Sequence, residues 1–192
     1  MKRSIGAKTI LYPTPVIAVS TYDENRKANV MIVAWGGICC SEPPCIAISL
    51  RKATYTYHNL LNNKAFIANI AGEEMVDKLD YMGITSGQNV DKLERLGLTP
   101  ERCHNVNAPY IKEFPLIIQC NVIRVVEIGL HTQFIGEIID IKVEEKFLDK
   151  EGNPDITKIK PVVFDPARRE YFSIGDSLGK AFSIGRKLKI GN

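Results

Sequence analysis

Three consecutive stretches decide the fold: Thr14-Pro-Val-Ile-Ala-Val-Ser-Thr-Tyr22, Asp23-Glu-Asn-Arg-Lys27 and Ala28-Asn-Val-Met-Ile-Val-Ala-Trp35. Two runs rich in β-branched residues flank a polar turn, the pattern of strands that fold back on one another as a hairpin. The spacing predicts strands over 14–22 and 28–35. A third, over 44–51, follows the breakers Gly36–Gly37 and Pro43–Pro44. A short helix is expected over 56–63 and a fourth strand over 64–70. Helical spacing marks 72–82 and 89–96, separated by the loop Gly83-Ile-Thr-Ser-Gly-Gln88. Two long β-branched strands, 116–127 and 132–146, join near Gly129. In the irregular remainder, 153–192, short elements are expected around Val162–Phe164 and Tyr171–Ile174, with a helix near 177–184. Strand follows strand through short turns, without regular βαβ crossovers. That favours an antiparallel barrel or Greek-key sheet over a doubly wound α/β fold.

A chain of 192 residues suits one well-buried domain, 1–192, and no low-complexity segment or linker divides it. A net charge of +3 is too small to imply a nucleic-acid or membrane partner. No apolar run approaches the ~20 residues that span a bilayer. The basic start Met1-Lys-Arg has no apolar stretch behind it, unlike a secretory signal, so a cytoplasmic location is expected. The five cysteines, Cys39, Cys40, Cys45, Cys103 and Cys120, are odd in number and lack C-x-x-C spacing. They read as small packed residues rather than as disulfides. Cys103–His104 has no second pair to complete a tetrahedral site, so no metal is expected.

Alternation on strand 28–35 puts Asn29, Met31, Val33 and Trp35 on one face. An amide beside the only tryptophan suits a planar heterocycle; alternatively, Trp35 caps the core and Asn29 closes a turn. Next comes Ser49-Leu-Arg-Lys-Ala-Thr-Tyr-Thr-Tyr-His58. Here Ser49, Arg51, Lys52, Thr54 and Thr56 crowd the start of a helix, where free N–H groups and the positive dipole end favour an anion. The competing reading is an N-cap threonine with solvated basic neighbours. Ser86-Gly-Gln-Asn-Val-Asp-Lys92 offers a loop small enough for close backbone approach, and Lys92 adds a second charge for a phosphate. Alternatively, Asp91–Lys92 is an exposed helix start. His131 follows the Gly129 turn as a structural or surface histidine, and Phe164 lies in Pro161-Val-Val-Phe-Asp-Pro166 as a core aromatic. The chain carries no G-x-G-x-x-G after a strand, no P-loop, no G-x-S-x-G and no H-E-x-x-H. Hydrolase and kinase chemistry have no residues to carry them, and no catalytic residue is assigned.

Several short motifs recur in a recognisable order: Tyr12-Pro-Thr-Pro-Val16, Asn29 to Trp35, Ser41-Glu-Pro-Pro44, Ser49 to Asn59, Ser86-Gly87 to Asp91-Lys92, and His131-Thr-Gln-Phe-Ile-Gly-Glu137. Over residues 5–185 this arrangement resembles the flavin reductase-like family of FMN-binding split barrels, and within it the flavoredoxins. The resemblance implies a mainly β (α+β) antiparallel Greek-key split barrel with peripheral helices, and a homodimer binding FMN noncovalently near the subunit interface. It further implies that Asn29 and Trp35 contact the isoalloxazine, lined by backbone of Met31, Val33 and Ala34. Arg51, Thr54, Thr56 and Lys92 would hold the ribityl phosphate, with Ser49 and Ser86 completing the cofactor set. His131 and Phe164 would close the pocket. The implied function is electron transfer through FMN, with a redox partner protein or NAD(P)H as donor. The alternatives are an NAD(P)H-dependent flavin or ferric reductase, and a noncatalytic barrel that binds a small ligand.

Overall fold

The structure, a computed structural model, describes residues 1–188; positions 189–192 of the expected domain lie outside the described residues. The 14–22 run divides at Val16 into β1 (Thr14–Pro15) and β2 (Ile17–Tyr22), because the two halves pair in different sheets. β3 (Ala28–Val33) returns antiparallel on β2, in register from Ile17↔Val33 to Tyr22↔Ala28. The Asp23 carboxylate fixes their turn by accepting the N–H groups of Asn25 (2.9 Å) and Lys27 (2.8 Å). β3 stops short of Trp35, whose carbonyl instead accepts the Ser49 N–H at 2.8 Å. The expected break at Gly36–Gly37 is in fact the start of another strand, β4 (Gly36–Ser41), hairpinned to β5 (Pro44–Arg51). A Cβ on Gly36 would lie 3.0 Å from both the Ala47 carbonyl and the Ile17 side chain, so glycine here permits close strand approach.

Next come α1 (Tyr55–Asn63) and β6 (Ala65–Ile70), joined by Lys64 in the left-handed conformation. The expected 72–82 helix begins as a 3₁₀ turn, Glu73–Met75, and continues as α2 (Val76–Ile84). The 89–96 helix shortens to α3 (Lys92–Leu96), since Asp91 caps it by accepting the Glu94 N–H at 3.1 Å. The small hairpin β7 (Pro100–Arg102) and β8 (Pro109–Ile111) was not expected. β9 (Leu116–Ile128) and β10 (His131–Val143) form the long hairpin. After α4 (Ile156–Ile159), β11 (Val163–Asp165) and β12 (Glu170–Phe172) join β1 in a three-stranded sheet. No helix forms over 177–184: residues 173–180 are irregular and a 3₁₀ turn spans Ile184–Leu188. Leu178 and Phe182 are 91% and 96% exposed, so no packing surface offsets the cost of helix nucleation there.

The main sheet has seven strands in the order β3-β2-β6-β9-β10-β5-β4, antiparallel throughout. The β2–β3 and β4–β5 hairpins therefore occupy opposite ends of a β6-β9-β10 centre. The sheet curls until the two ends share one core, in which Ile17, Val19 and Val33 meet Ile46, Ile48 and Phe134. The ladder does not close between β3 and β4, which makes this a split rather than a complete barrel. On the outer side Val30 and Ala18 pack against Leu79, Met82 and Leu93 of α2 and α3. β2 is thus buried on both faces. Among the described residues no helix is long and apolar enough to cross a membrane.

A Cβ at Gly136, beside a register shift in β10, would sit 2.7 Å from the Phe66 ring and 2.9 Å from Cys120 Cβ. Gly136→Ala should lower unfolding free energy by about 1–3 kcal/mol through overpacking, measurable as a reduced urea midpoint at unchanged m-value.

Candidate functional site

Three adjoining cavities run from the α1–α2 side of β3 past Trp35 to the side of β5 and β10. The first, of about 250 Å³, is polar and is bounded by Asn29 and Met31 of β3, Ala53–Thr56 at the start of α1, the segment Met82–Gly87, and Lys92. Gly83 and Ile84 are shared with a second cavity of about 450 Å³, walled by Ala34, Trp35, Phe164 and Tyr171. Trp35 and Thr9 lead on to a third, of about 400 Å³, lined by Ser49, His131, Ile128 and the segment Lys8–Leu11.

In the polar cavity, Thr54 takes the N-cap position of α1 with extended backbone but makes no capping bond; its hydroxyl donates to the Arg51 carbonyl at 2.9 Å. No acidic side chain stands in the first turn either. The Tyr57 N–H is bonded to the Thr54 carbonyl at 3.1 Å, but those of Tyr55 and Thr56 have no acceptor among the described residues and, with the positive end of the helix dipole, can face an anion. Thr56, 1% exposed, accepts the Asn29 amide N–H at 2.8 Å. No acceptor for its own hydroxyl proton occurs among the described residues, so that proton is available to a ligand. Gly87 lies against Asn29, where an added Cβ would come within 2.0 Å of Oδ1. The close approach expected of this small-residue loop is thus made to Asn29.

Lys92 is 4% exposed. Its Nζ donates to the Met82 carbonyl (3.1 Å) and the Thr85 carbonyl (3.0 Å) at the C-terminal end of α2. An ammonium has three donors, so one remains for the cavity that Lys92 lines. Burial lowers its pKa to about 8, which leaves it mostly protonated at neutral pH. The reading of Lys92 as an exposed helix start is corrected: the side chain folds inward under α2.

The remaining expected residues divide. Met31, Thr54, Thr56 and Ser86 line the polar cavity; Ala34 and Phe164 the aromatic one; Ser49 and His131 the outer one; Trp35 lies between the last two. Two residues fall outside. The Val33 side chain is 3% exposed and belongs to the barrel core. Arg51 is exposed and borders none of the three cavities; β5 turns it outward opposite His131 of β10, and only its carbonyl serves the α1 start. Phe164 does have a packing role, with its ring tilted against Tyr171 at 5.6 Å between centroids. Sequence reasoning missed Tyr55, and it missed the pair in which Tyr171 donates to Asp80 at 3.0 Å. Burial together with that bond pushes Tyr171 up to about 12. Neither residue sits in a pattern that announces it. Among the described residues no cluster of histidine, cysteine and carboxylate groups is suited to a metal ion.

The molecule is thus an antiparallel split barrel in which a helix start with free N–H groups opens onto an aromatic wall. The chain belongs to the flavin reductase-like family: the Flavin reductase like domain matches residues 9–173. Flavoredoxin of Desulfovibrio vulgaris (Miyazaki F) is 52% identical, with a TM-score of 0.92 over 96% of this chain and 100% of that one. Flavoredoxin from Methanosarcina acetivorans is 32% identical, with a TM-score of 0.92 over 98% and 99% of the two chains. An uncharacterized protein of Aquifex aeolicus is 31% identical over 80% of this chain and 81% of its own. A flavin-related redox function follows from this membership.

Because Lys92 releases its proton near pH 8 when folded but near its ordinary value when unfolded, the unfolded chain binds more protons between those limits. Its contribution to stability should therefore rise with pH from about 8 to about 10.5. Comparing denaturation midpoints of ligand-free wild type and Lys92→Met across this range isolates the effect, since the variant should lack that rise.

Proposed function

We propose that this protein binds FMN noncovalently and transfers electrons through it. The observation that carries the reading is the convergence of the uncapped α1 start, the Thr56 hydroxyl and the spare Lys92 proton on one cavity that continues to an aromatic wall. The residues fit the cofactor. Lys92, Thr56, Thr54 and the N–H groups of α1 would hold the phosphate. Asn29, Met31, Ser86 and the Gly83–Ile84 backbone would flank the ribityl chain. Ala34, Trp35 and Phe164 would border the ring system, with Ser49 and His131 at its outer side. Bound flavin supplies exchange of electrons in pairs or singly; the protein's part is to bind, orient and shield it. A proton on Lys92 at neutral pH balances phosphate charge in a setting where water competes poorly.

The flavoredoxins among the relatives favour a carrier, whose electrons come from a redox partner protein or from NAD(P)H. A homodimer is part of the proposal. The β9–β10 hairpin exposes apolar side chains on both its faces, Val125 on one and Val126 and Ile128 on the other, and Ile128 also borders the outer cavity. A second copy seated there would bury these side chains and shelter His131. A cytoplasmic location accords with these partners.

Purified protein incubated with FMN should retain a yellow chromophore through gel filtration; a colourless product would sink the proposal. Thr56→Ala and Lys92→Ala should each weaken FMN binding by about 1–3 kcal/mol, read by fluorescence quenching, while unchanged affinity in both would refute the phosphate assignment. Affinity should also fall as pH rises through about 8, where Lys92 loses its proton in the free protein, and Lys92→Met should flatten that dependence. Val125→Asp should shift the protein to monomer in light scattering. Steady-state oxidation of NADH or NADPH with free flavin or ferric acceptors would mark a reductase; tightly held FMN without such turnover would mark a carrier.

A further inference from the structure

At the far end of α1, about 14 Å along its nine residues at 1.5 Å rise each, lies a separate polar cavity of about 240 Å³. Tyr22, Arg26, Arg102, His104, Asn105 and Asn121 contribute to its wall. None of these residues borders the three cavities described above.

The wall is held in place from behind. In the loop between β7 and β8, Cys103, Val106 and Ala108 are buried against Ala65, Ile67 and Ile117. The Cys103 thiol donates to Gln119 Oε1 at 2.9 Å, and the Ala108 N–H closes a tight turn on the Val106 carbonyl at 2.9 Å. With those residues committed inward, His104, Asn105 and Asn107 are left facing outward. Asn107 is braced by the bond from its Nδ2 to Asn63 Oδ1 at 3.0 Å, and Asn63 in turn donates to the Tyr22 carbonyl at 2.7 Å. Across the cavity Arg26 occupies the left-handed region at φ 59° and lays its guanidinium over the Tyr22 ring, 5.0 Å from its centroid. Its one hydrogen bond, to Asn107 Oδ1, is long at 3.5 Å.

The charge here is unbalanced. Among the described residues neither Arg26, Arg102 nor His104 makes an ion pair. Of the neighbouring acids, Asp23 holds its own turn and the Tyr55 hydroxyl, Glu101 is bonded to Tyr110 and Lys112, and Glu24, in the Arg26 turn, is exposed. Asp140 stands behind Asn105, accepting from it at 3.4 Å and from Gln119 at 3.2 Å. Two guanidiniums, that of Arg26 stacked on Tyr22 and that of the exposed Arg102, thus border a concavity whose other groups are carboxamides, an imidazole and a phenol ring. Guanidinium forks match the paired oxygens of a phosphate, and carboxamides match sugar hydroxyls.

We propose that this cavity binds a small phosphate monoester, with Arg26 and Arg102 on the phosphate and Asn105 and Asn121 on the group it esterifies. The volume admits a sugar phosphate or the monoester end of a larger ligand, but not a whole dinucleotide. The site does not depend on the flavin reading, because it shares no residue with that cavity.

The test is a titration of the full chain, followed by NMR at the side-chain amides of Asn105, Asn107 and Asn121 and at the Arg Nε–H groups, so that the responding cavity is identified directly. Ribose 5-phosphate, adenosine 2′-monophosphate, inorganic phosphate and chloride are the probes. Saturable shifts at these amides with ribose 5-phosphate, roughly tenfold weaker in Arg102→Gln and in Arg26→Gly, support the proposal; glycine keeps the positive φ of the turn. Saturation with adenosine 2′-monophosphate but not ribose 5-phosphate supports the monoester end of a nucleotide as the source. Inorganic phosphate binding as tightly as either ester, or shifts that track chloride, means an adventitious ion only and overturns it. So does tighter binding of a hexaglutamate peptide than of any monoester, which would mark a protein-docking surface. Retained affinity in both variants, with native circular dichroism, also overturns it.

Discussion

The bond from the Asn29 amide to the Thr56 hydroxyl is the fixed point about which the candidate site is built. Asn29 lies on an edge strand of the open sheet yet is only 7% exposed, and a buried carboxamide left unpaired is expensive. Pairing it sets where α1 starts relative to β3, and packing Gly87 against its other face sets the 86–87 loop. The same device repeats along α1. Asn59 donates to Thr21 Oγ1 at 3.2 Å and Asn63 to the Tyr22 carbonyl at 2.7 Å, at helical spacing from Thr56. One face of the helix is therefore tied to the β2–β3 hairpin by directional bonds, while Tyr57 and Leu60 on another face pack into the barrel core. Apolar packing alone tolerates small rotations; a row of buried amides does not, and the direction of the helix N-terminus is fixed as a result.

Lys92 imposes a second constraint, of opposite character. Burying an ammonium is unfavourable, and here the penalty is moderated by two carbonyls at the negative end of α2 rather than by a carboxylate. Asp91, next in sequence, is occupied with the α3 cap and with Lys27 at 2.9 Å. The positive charge is thus held in place without being neutralised. A carboxylate partner would have stabilised Lys92 and cancelled the field that makes the cavity attractive to an anion.

Local pattern revealed most of the strands and helices and part of the site. β5 falls on the expected 44–51, and the β2–β3 hairpin was legible because β-branched runs flanked a polar turn. β4 was not, because Gly36 serves close approach to β5 and the residues from Ile38 on, exposed at the sheet edge, show no alternation. β7 and β8 are too short to carry a period, and their existence depends on tertiary contacts such as Asn69, which accepts the Ile111 N–H and donates to the Ala18 carbonyl. The crowding of hydroxyls before α1 was readable in sequence. That Arg51 turns away and Lys92 turns in was not, since both outcomes depend on which face of its own element each residue occupies after packing. Val33 shows the limit of alternation: it shares a face with Asn29, but the curl of the sheet carries that face from the cavity into the core.

The polar cavity is finished within one chain, with Thr56 and Lys92 nearly sealed and Asn29 scarcely less so. The outer cavity is bordered instead by exposed Ile128 and by Lys8–Leu11, a segment without regular structure. A ligand spanning the series would be gripped at its charged end by preorganised donors and left reachable at its aromatic end. Binding strength and reactivity are then separable. Changes near Thr56 would act on affinity with little effect on access to the ring, whereas the outer cavity, bordered by the β9–β10 hairpin, would set what approaches that ring. Electron transfer needs this division, because a cofactor that never leaves must still expose an edge to its partner.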